Sequence, residues 1–333
     1  MKILVTGATG FIGSHLVERL VQEGYGVKAL VRNEKNFEAR DETNKLLKKL
    51  NVEIFRGDLL DKDSLEKAVK NVEVVFHLAA IARPLAIPKT RYFKVNEEGT
   101  KNLLEVCVNK KIKKIVIMSS LSAVGPTRDG NPVNEKTKCQ PVDTYGWSKL
   151  AQENIAMNYF KEHKLPIILL RPSMVFGPRD FEMLRLFKAV NAWFFPLSGN
   201  EKGIDFLYVE NLVEACVLAM KNGKDGERYH ISNGKAYSIN ELVEAISVAE
   251  RKNILPIYFP KFFFTFTGYV VEFLGKIFNF HPPFKHDTVN WMTEKFWIAD
   301  ISKAKKELKY NPKISLEEGV RKTVDYYKSR RLL

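Results

Sequence analysis

A tyrosine and a lysine four residues apart are the side chains of this sequence best suited to proton transfer. Tyr145 and Lys149 enclose the tripeptide Gly-Trp-Ser, and this spacing puts both on one face of a helix. A phenol with a pKa of about 10 is a poor base at neutral pH, but a neighbouring ammonium stabilises the phenolate. Ser120, at the end of a predicted strand, adds a hydroxyl that can hold a substrate oxygen. We predict that these three residues form a catalytic set; the alternative is a pair on a helix surface with no chemical role.

Three glycines predict where a cofactor would bind. Gly7, Gly10 and Gly13 follow the apolar run Ile3–Val5 and open a segment of helical periodicity. Gly7 permits a tight turn, Gly10 lets the backbone approach a pyrophosphate, and Gly13 lets helix and strand pack closely. A pyrophosphate would then lie at a helix N-terminus, where free N–H groups and the helix dipole favour an anion. The pattern predicts a dinucleotide site rather than a purely structural turn, with further contacts from Thr9, Phe11 and Ile12.

The residue after the second predicted strand bears on the choice of cofactor. Val27–Val31 is followed by Arg32 and not by an acidic residue. A carboxylate there would bind the ribose hydroxyls of NAD, whereas an arginine can pair with the 2′-phosphate of NADP. Lys35 adds charge nearby, so we expect NADP to be preferred to NAD; the alternative is a solvated arginine at a strand end. After the third strand, Asp58 and Leu59 are expected to meet the adenine.

Alternating elements would position these residues. Short apolar runs rich in β-forming residues alternate with segments of helical periodicity, which is typical of a parallel sheet covered on both faces. We therefore expect an α/β protein with a doubly wound parallel sheet. The predicted strands are Ile3–Val5, Val27–Val31, Val52–Phe55, Val74–Leu78, Ile115–Met118 and Ile167–Leu170, with Phe206–Val209 and Arg228–Ile231 as later candidates. Residues 1–172 with 205–232 are expected to form the cofactor domain, and 173–204 with 233–333 a smaller mixed α/β substrate domain.

Composition excludes several classes of protein. The 333 residues are 45% hydrophobic and 28% charged, which is typical of a folded globular protein and excludes a wholly disordered or fibrous one. The net charge of +14 suits acidic ligands, a membrane surface or a lysine-rich solvated surface, but no basic helix or aromatic platform suggests nucleic acid. Three scattered cysteines indicate neither a disulfide framework nor a metal site, so we expect no metal. No apolar run is long enough to span a membrane, and the chain opens on a strand, so we expect no signal peptide. The scattered cysteines fit reduced thiols of a cytoplasmic protein, and we also expect a homodimer.

The segment 256–284 is unusually aromatic. Nine of the 22 phenylalanines lie between Phe259 and Phe284, at spacings that would make one broad apolar helical face. This face could be the core of the C-terminal domain. It could also be a lid over an apolar substrate or a peripheral contact with an anionic membrane, which would suit the excess of positive charge. The last two interpretations favour a lipid-like substrate over a sugar nucleotide.

Together these motifs resemble the extended branch of the short-chain dehydrogenase/reductase superfamily, the NAD-dependent epimerase/dehydratase enzymes. The resemblance covers nearly the whole chain and implies a Rossmann-type domain with Ser120, Tyr145 and Lys149 as the catalytic set. It also implies that Asn96 lies near the active site and that Pro172, Ser173 and Val175 line the nicotinamide. The matching residues are Gly7, Gly10, Gly13, Asp58, Leu78, Ala79, Ala80, Val95 to Thr100, Ser119, Ser120, Tyr145, Lys149, Arg171, Pro172, Gly177 and Pro178.

Departures from the pattern separate the activities within that branch. Dehydratases usually carry Thr-Asp-Glu where this chain has Ser120-Leu121-Ser122, so dehydration is disfavoured. Sugar epimerases often have an arginine just before the Asp-Phe pair of a late strand, where this chain has Ile204. The nearest likeness is to the 3β-hydroxysteroid and sterol dehydrogenases and, through Arg32, to the dihydroflavonol reductases. We therefore expect an oxidoreductase acting on a secondary alcohol or ketone of an apolar molecule. The alternatives are a nucleotide-sugar 4-epimerase with tightly bound NAD and a cofactor-sensing binding protein, and the intact catalytic set disfavours the latter.

Overall fold

The computed structural model describes residues 1–32, 38–82, 87–190, 194–197, 203–252, 255–258, 266, 270, 294 and 296–333, with the backbone alone at 38–41, 194–197 and 255–258. The strands are β1 Lys2–Thr6, β2 Gly26–Val31, β3 Glu53–Arg56, β4 Val74–His77, β5 Lys114–Met118, β6 Ile167–Pro172, β7 Met174–Phe176, β8 Phe194–Leu197, β9 Gly203–Ile204, β10 Phe206–Tyr208, β11 Arg228–Ile231, β12 Leu255–Tyr258 and β13 Phe296–Trp297. The helices are α1 Phe11–Gln22, α2 Glu38–Lys49, α3 Lys62–Ala68, α4 Lys89–Phe93, α5 Gly99–Cys107, α6 Thr144–His163, α7 Phe181–Val190, α8 Val209–Asn222, α9 Ile239–Glu250 and α10 Leu316–Ser329. Short π-helical turns occupy Lys94–Glu98 and Ala304–Leu308, and a 3₁₀ turn occupies Leu121–Ala123.

Seven strands form one parallel sheet in the order β11-β6-β5-β4-β1-β2-β3. The chain runs from β1 outward to β3, then returns to β4 on the other side of β1 and continues to β11. In such sheets, ligands bind beyond the carboxyl ends of the strands at the point where this order reverses. Here that point lies between β1 and β4, where Thr6 pairs with His77. The predicted doubly wound α/β fold is confirmed.

Both faces of the sheet are covered at its central strands, which explains the continuous apolar runs of their sequences, whereas the edge strand β3 is largely exposed. Alternate residues of β1 contribute to different hydrophobic clusters: Val5 lies in one with Leu16 of α1, and Leu4 in another with Leu103 of α5 and Ala156 of α6. A strand that packs on both sides has no solvent-facing positions and therefore shows no alternation of polar and apolar residues. The eight predicted strands are present, each within two residues of its expected ends.

Among the described residues, three small parallel pairs lie outside the main sheet, and most of their strands were not predicted. They are β7 with β10, β8 with β12 and β9 with β13. Each has only two to four residues, and each joins segments far apart in sequence. A run this short has too little hydrophobic periodicity to be recognised locally.

The predicted lid or membrane segment, 256–284, falls almost entirely outside the described residues. Residues 256–258 belong to β12, and the isolated positions Phe266 and Val270 are 67% and 36% exposed. Elsewhere, none of the helices that the structure describes combines the length and apolarity needed to cross a bilayer.

Candidate active site

The glycine turn is held so tightly that only glycine fits at two of its positions. Gly7 has a φ of +71°, and a Cβ there would lie 2.8 Å from the amide nitrogen of Ala79. A Cβ on Gly13 would lie 2.1 Å from the carbonyl oxygen of Gly7. The turn is closed by the Gly10 amide, which donates to the same carbonyl over 2.9 Å. These contacts pack the start of α1 against both β1 and the segment after β4.

The N-terminus of α1 meets the requirements of an anion site. Gly10 is its N-cap and carries no side chain that could cap the helix, and the first turn contains no acidic residue. The N–H groups of this twelve-residue helix can therefore point at a phosphate. Thr9, Phe11 and Ile12 are partly exposed around it, and the carbonyl of Thr9 accepts a hydrogen bond from Thr43 Oγ1 of α2 at 2.9 Å. This arrangement fits the pyrophosphate of a dinucleotide.

The adenosine side of the predicted site lies beyond β2 and β3. Arg32 is exposed immediately after β2, while Lys35 falls outside the described residues. Asp58 is half-buried after β3, and its Oδ1 accepts from the Leu60 amide at 2.9 Å. Leu59 is buried beside it. The hydrogen bond from the Leu60 amide uses Oδ1 alone, which is compatible with the expected contact between the other carboxylate oxygen of Asp58 and an adenine amino group.

The segment after β4 is fixed from behind by Asn96. The amide of this fully buried residue accepts from the Ile81 amide at 2.7 Å and donates to the Ile81 carbonyl at 3.1 Å. It also donates to Ser148 Oγ at 2.9 Å. Asn96 therefore orders the backbone next to Leu78, Ala79 and Ala80, which are partly exposed toward the predicted cofactor.

Ser173, which is expected to line the nicotinamide, has a buried hydroxyl to which the described residues offer no hydrogen bond. Ser173 lies between β6 and β7, is 9% exposed, and its Oγ has no hydrogen-bond partner among the described residues. Such a group costs free energy unless a ligand or water satisfies it. Pro172 ends β6 and Val175 lies in β7, so these two apolar residues flank a hydroxyl that is able to hydrogen-bond a carboxamide.

A close approach between two segments brings Tyr145 toward Ser120. Ser120 follows β5, and its Oγ accepts from the Ser122 amide at 3.1 Å. Helix α6 begins at Thr144, capped by Asp143, whose carboxylate accepts from the Gly146 amide at 2.6 Å. A Cβ on Gly146 would lie 2.3 Å from the Ser122 carbonyl oxygen. The first turn of α6, which carries half-buried Tyr145, therefore lies directly against the turn that starts at Ser120.

Lys149 is buried one helical turn further on, at 2% exposure. Its Nζ donates to the Met118 carbonyl at 2.6 Å and to Gln152 Oε1. Burial lowers the pKa of Lys149 to about 7, while the carboxylate of Glu153 acts in the opposite direction. A lysine of this kind can change its charge near neutral pH, as candidates for proton-transfer sites do.

A buried ion pair connects helix α6 to strand β6 next to the candidate catalytic residues. Arg171 of β6 binds both carboxylate oxygens of Glu153, with Nε–Oε1 2.8 Å and Nη2–Oε2 2.6 Å. The Ser119 hydroxyl donates to the same carboxylate at 2.5 Å. Burial acts to raise the pKa of Glu153, but these bonds outweigh it and hold the carboxylate ionised. These bonds connect helix α6 to the carboxyl ends of β5 and β6. Ser120 and Ser173 lie immediately beyond those ends.

A family model identifies the proteins to which this chain is related. Residues 3–233 match the NAD dependent epimerase/dehydratase family. The chain belongs to this family. The expected family is confirmed, and this epimerase/dehydratase family member is an enzyme of the extended short-chain dehydrogenase/reductase type.

The relatives of this chain include sterol dehydrogenases and nucleotide-sugar epimerases. It is 26% identical to the mouse (Mus musculus) sterol-4-alpha-carboxylate 3-dehydrogenase, decarboxylating, over 98% of this chain and 91% of that one. It is 29% identical to the UDP-glucose 4-epimerase of Vibrio cholerae, over 98% and 95%. The crystal structure of UDP-glucuronic acid 4-epimerase from Bacillus cereus, with UDP-glucuronic acid and NAD, superposes with a TM-score of 0.79 at 28% identity, covering 99% and 100% of the two chains. Family membership thus gives an NAD-dependent enzyme and leaves the substrate open.

Three buried residues close to Lys149 and the predicted cofactor segment were not identified from the sequence as part of the candidate active site. They are His77, Gln152 and Glu153. Glu153 lies four residues after Lys149 and therefore on the same face of the helix. This spacing is the local signal that could have identified it. His77 ends β4 and was interpreted as an ordinary strand-end residue. It hydrogen-bonds to Thr6 and Thr100, each at 2.8 Å. These partners are distant in sequence, so no local pattern predicts them. Among the described residues, no group of three or more potential ligands could hold a metal ion.

Proposed function

We propose that the protein is an oxidoreductase that interconverts a secondary alcohol and a ketone on an apolar, sterol- or lipid-like substrate. One observation carries the choice of substrate class. Ile204, the position before Asp205 and Phe206, is 6% exposed and pairs in β9 with Trp297 of β13. An apolar side chain buried there offers no charge to a sugar nucleotide's diphosphate. The sterol dehydrogenase relatives support the same choice.

In the proposed mechanism, Ser120, Tyr145 and Lys149 handle the proton. A bound nicotinamide supplies the hydride acceptor or donor. Ser120 holds the substrate oxygen, and Tyr145 gives its phenolic proton to that oxygen during reduction or takes it during oxidation. Lys149 stabilises the phenolate that reduction leaves, because an adjacent positive charge favours the anion. Leu121 and Ser122, both buried, provide no further acid or base for a dehydration.

The proposal includes a preference for NADP over NAD. Arg32 is exposed at the carboxyl end of β2, where the 2′-position of the adenosine ribose would lie in a doubly wound sheet. Its guanidinium can bind a phosphate through two parallel hydrogen bonds. The NAD-bound relatives of the family support the site itself, and Arg32 supports the phosphate preference.

The proposed cofactor contacts are those expected from the sequence. We assign the pyrophosphate to the glycine turn, the adenine to Asp58 and Leu59, and the nicotinamide to Pro172, Ser173 and Val175. The backbone of residues 78–80 would lie along the cofactor. The proposed cofactor domain is 1–172 with 205–232, a division that the pairing of β11 with β6 supports, and 173–204 with 233–333 would bind substrate. The homodimer, the cytoplasmic location and a membrane contact of 256–284 remain predictions.

A nucleotide-sugar 4-epimerase is the second candidate, favoured by the similarity to the Vibrio cholerae enzyme. An epimerase uses the same proton-transfer residues but returns the hydride to the same sugar, so its cofactor shows no net change. This difference makes the two candidates separable in one assay.

The test is cofactor turnover by the purified protein. NADPH and NADH are each offered with a panel of apolar ketones, including 3-ketosteroids, and UDP-glucose is incubated separately with NAD. We expect NADPH oxidation with apolar ketones. Formation of UDP-galactose without net change in cofactor would instead establish the epimerase and refute the proposal.

A further inference from the structure

Lys149 is connected to a buried hydrogen-bond chain that proton transfer alone does not require. Gln152, which is fully buried, accepts from Lys149 Nζ through Oε1 and donates to Thr100 Oγ1 through Nε2 at 2.8 Å. We propose that Gln152 is a positioning residue that fixes Lys149 in place and keeps it charged, and that Thr100 in turn fixes Gln152. This inference rests on the proposed function, in which Lys149 assists Tyr145.

The direction of each hydrogen bond in this chain follows from counting protons. The Thr100 hydroxyl has one hydrogen and gives it to the Asn96 carbonyl at 2.6 Å. It must therefore accept from both Gln152 Nε2 and His77 Nε2, the latter at 2.8 Å. His77 then carries its proton on Nε2, and its Nδ1 accepts from Thr6 Oγ1 at 2.8 Å.

The hydrogen-bond chain from Gln152 through Thr100 and His77 ends at the predicted cofactor segment, and its histidine does not titrate near neutral pH. Thr6 Oγ1 accepts from the Ala79 amide at 3.1 Å, so Lys149 is linked through side chains to the backbone beside the glycine turn. Burial, and secondarily the charge of Lys149, lower the pKa of His77 to about 3. His77 therefore stays neutral and keeps this arrangement of protons above that pH.

An amide is the side chain that these two neighbours require. Its oxygen accepts from an ammonium while its nitrogen donates to a hydroxyl; leucine could do neither, and a carboxylate could not donate. Gln152 is also uncharged, as is the Met118 carbonyl that takes the other N–H bond. Both acceptors stabilise the ammonium without neutralising it, so its positive charge remains available to a phenolate.

The other charged groups around Lys149 are already committed. Glu153, the next residue of α6, is bound by Arg171 of β6 and lies 3.4 Å from Arg228 Nε at the start of β11. His77 at the end of β4 is neutral. Tyr145 is on the same helix, one turn earlier. The Glu153 carboxylate favours the charged form of Lys149 from a distance while it binds two arginines. The amide of Gln152 accepts directly from the ammonium and adds to that effect.

The test measures the ionisation of Lys149 itself, so it needs no substrate. Protein with isotopically labelled lysine is titrated by NMR, and Lys149→Met assigns the resonance. Gln152→Leu removes one acceptor, so we expect the pKa of Lys149 to fall by roughly one unit from about 7. At pH 7 the charged fraction would then fall about fivefold. In turnover assays kcat should fall accordingly, its decline at high pH should begin about one unit earlier, and KM should not change.

Three further variants separate positioning from folding. Thr100→Val keeps the Lys149–Gln152 contact but frees the amide, and should give a smaller shift in the same direction. Thr100→Ser keeps the hydroxyl and should titrate as the wild type does. Asn154→Leu, at an exposed position of α6, controls for changes to the helix and should also leave Lys149 unchanged.

The outcomes distinguish this inference from the proposed function. If Lys149 titrates as in the wild type in both Gln152→Leu and Thr100→Val, Gln152 is packing only and the inference is overturned. If the pKa shifts and Thr100→Ser reverses the effect of Thr100→Val, the inference is supported, even where no ketone is turned over. In that case the absence of turnover refutes the proposed function alone.

Discussion

At the scale of single residues, the proposed chemistry depends on a few groups whose surroundings differ from water. Lys149 is buried among neutral acceptors, the Ser173 hydroxyl has no hydrogen-bond partner in the part of the chain that the structure describes, and Arg32 is exposed at a strand end. Each has a different expected role. Lys149 is expected to place a positive charge near a phenolate, Ser173 to hydrogen-bond a carboxamide, and Arg32 to bind a phosphate. Substitution of a single residue therefore tests each role separately.

Tyr145→Phe is expected to abolish turnover and leave cofactor affinity nearly unchanged. The ring still packs at the start of α6, and only the proton-transferring hydroxyl is lost, which costs about 10²–10⁴-fold in general acid–base catalysis. Steady-state kinetics measure kcat, and fluorescence titration with NADPH measures affinity. Tyr159→Phe, on the same helix and half-buried, is the matched control and should keep its activity. Full activity in Tyr145→Phe would refute the catalytic assignment.

Arg32→Asp is expected to reverse the cofactor preference. The variant loses a charge-assisted contact with the 2′-phosphate and gains a repulsive carboxylate, together worth roughly 2–4 kcal/mol in the relative affinity for NADPH and NADH. Binding of both cofactors is measured by titration. Arg321→Asp makes the same charge change at an exposed position of α10 and should not alter the ratio. An unchanged ratio in Arg32→Asp would mean that Arg32 is only a solvated surface residue.

At the scale of elements, the site depends on how closely α6 approaches the turn after β5. The capped first turn of α6 touches the Ser122 carbonyl at a point where a side chain would not fit. The Glu153–Arg171 pair fixes the same helix one turn beyond Lys149. Ser120 and Tyr145 come from different elements, so this contact sets their separation.

Gly146→Ala tests the close approach. The new methyl group would lie 2.3 Å from the Ser122 carbonyl oxygen, so α6 must shift relative to the turn. A misplacement of about 1 Å can cost about 10²-fold in rate, and overpacking costs roughly 1–3 kcal/mol of stability. Gly26→Ala is the control, because its Cβ would meet nothing closer than 3.7 Å. Equal kcat values for Gly146→Ala and the wild type would show that the approach does not position Tyr145.

At the scale of the whole molecule, Asp205 connects segments distant in sequence. Its Oδ2 accepts from the Ala299 amide at 2.8 Å, its own amide donates to the Trp297 carbonyl at 3.0 Å, and its carbonyl accepts from the Met174 amide at 3.1 Å. The residue thus joins the start of β10 to β7 and β13. Burial raises its pKa to about 6, although the hydrogen bonds from Ala299 and Ser232 act in the opposite direction.

This raised pKa predicts a pH dependence of stability. The folded protein holds the Asp205 proton more tightly than the unfolded chain, so the contribution is full below pH 3.8 and is lost as the pH rises through about 6. The shift corresponds to about 2–3 kcal/mol. Asp205→Asn removes this titration, so its stability relative to the wild type should rise between pH 4 and pH 7. Urea denaturation at several pH values measures the difference, and a constant difference across this range would contradict the prediction.

The fold class and the candidate catalytic set are both predictable from local sequence features. The strand Lys2–Thr6, the glycine turn and the Tyr145/Lys149 spacing are local features, because hydrophobic period, turn chemistry and helix geometry act over a few residues. The central strands are buried on both faces and therefore appear in the sequence as continuous apolar runs. Their parallel order follows from the short list of connections that such elements permit.

The tertiary structure decided which groups surround that set. Gln152, Thr100 and His77 become neighbours although up to 75 residues separate them, and Glu153 meets Arg171 across α6 and β6. The short strands β7, β9 and β13 likewise exist because distant segments pair. Hydrogen bonds between distant residues depend on the packing of whole elements, since each buried polar group must find a partner wherever the fold brings one. No local pattern carries that information.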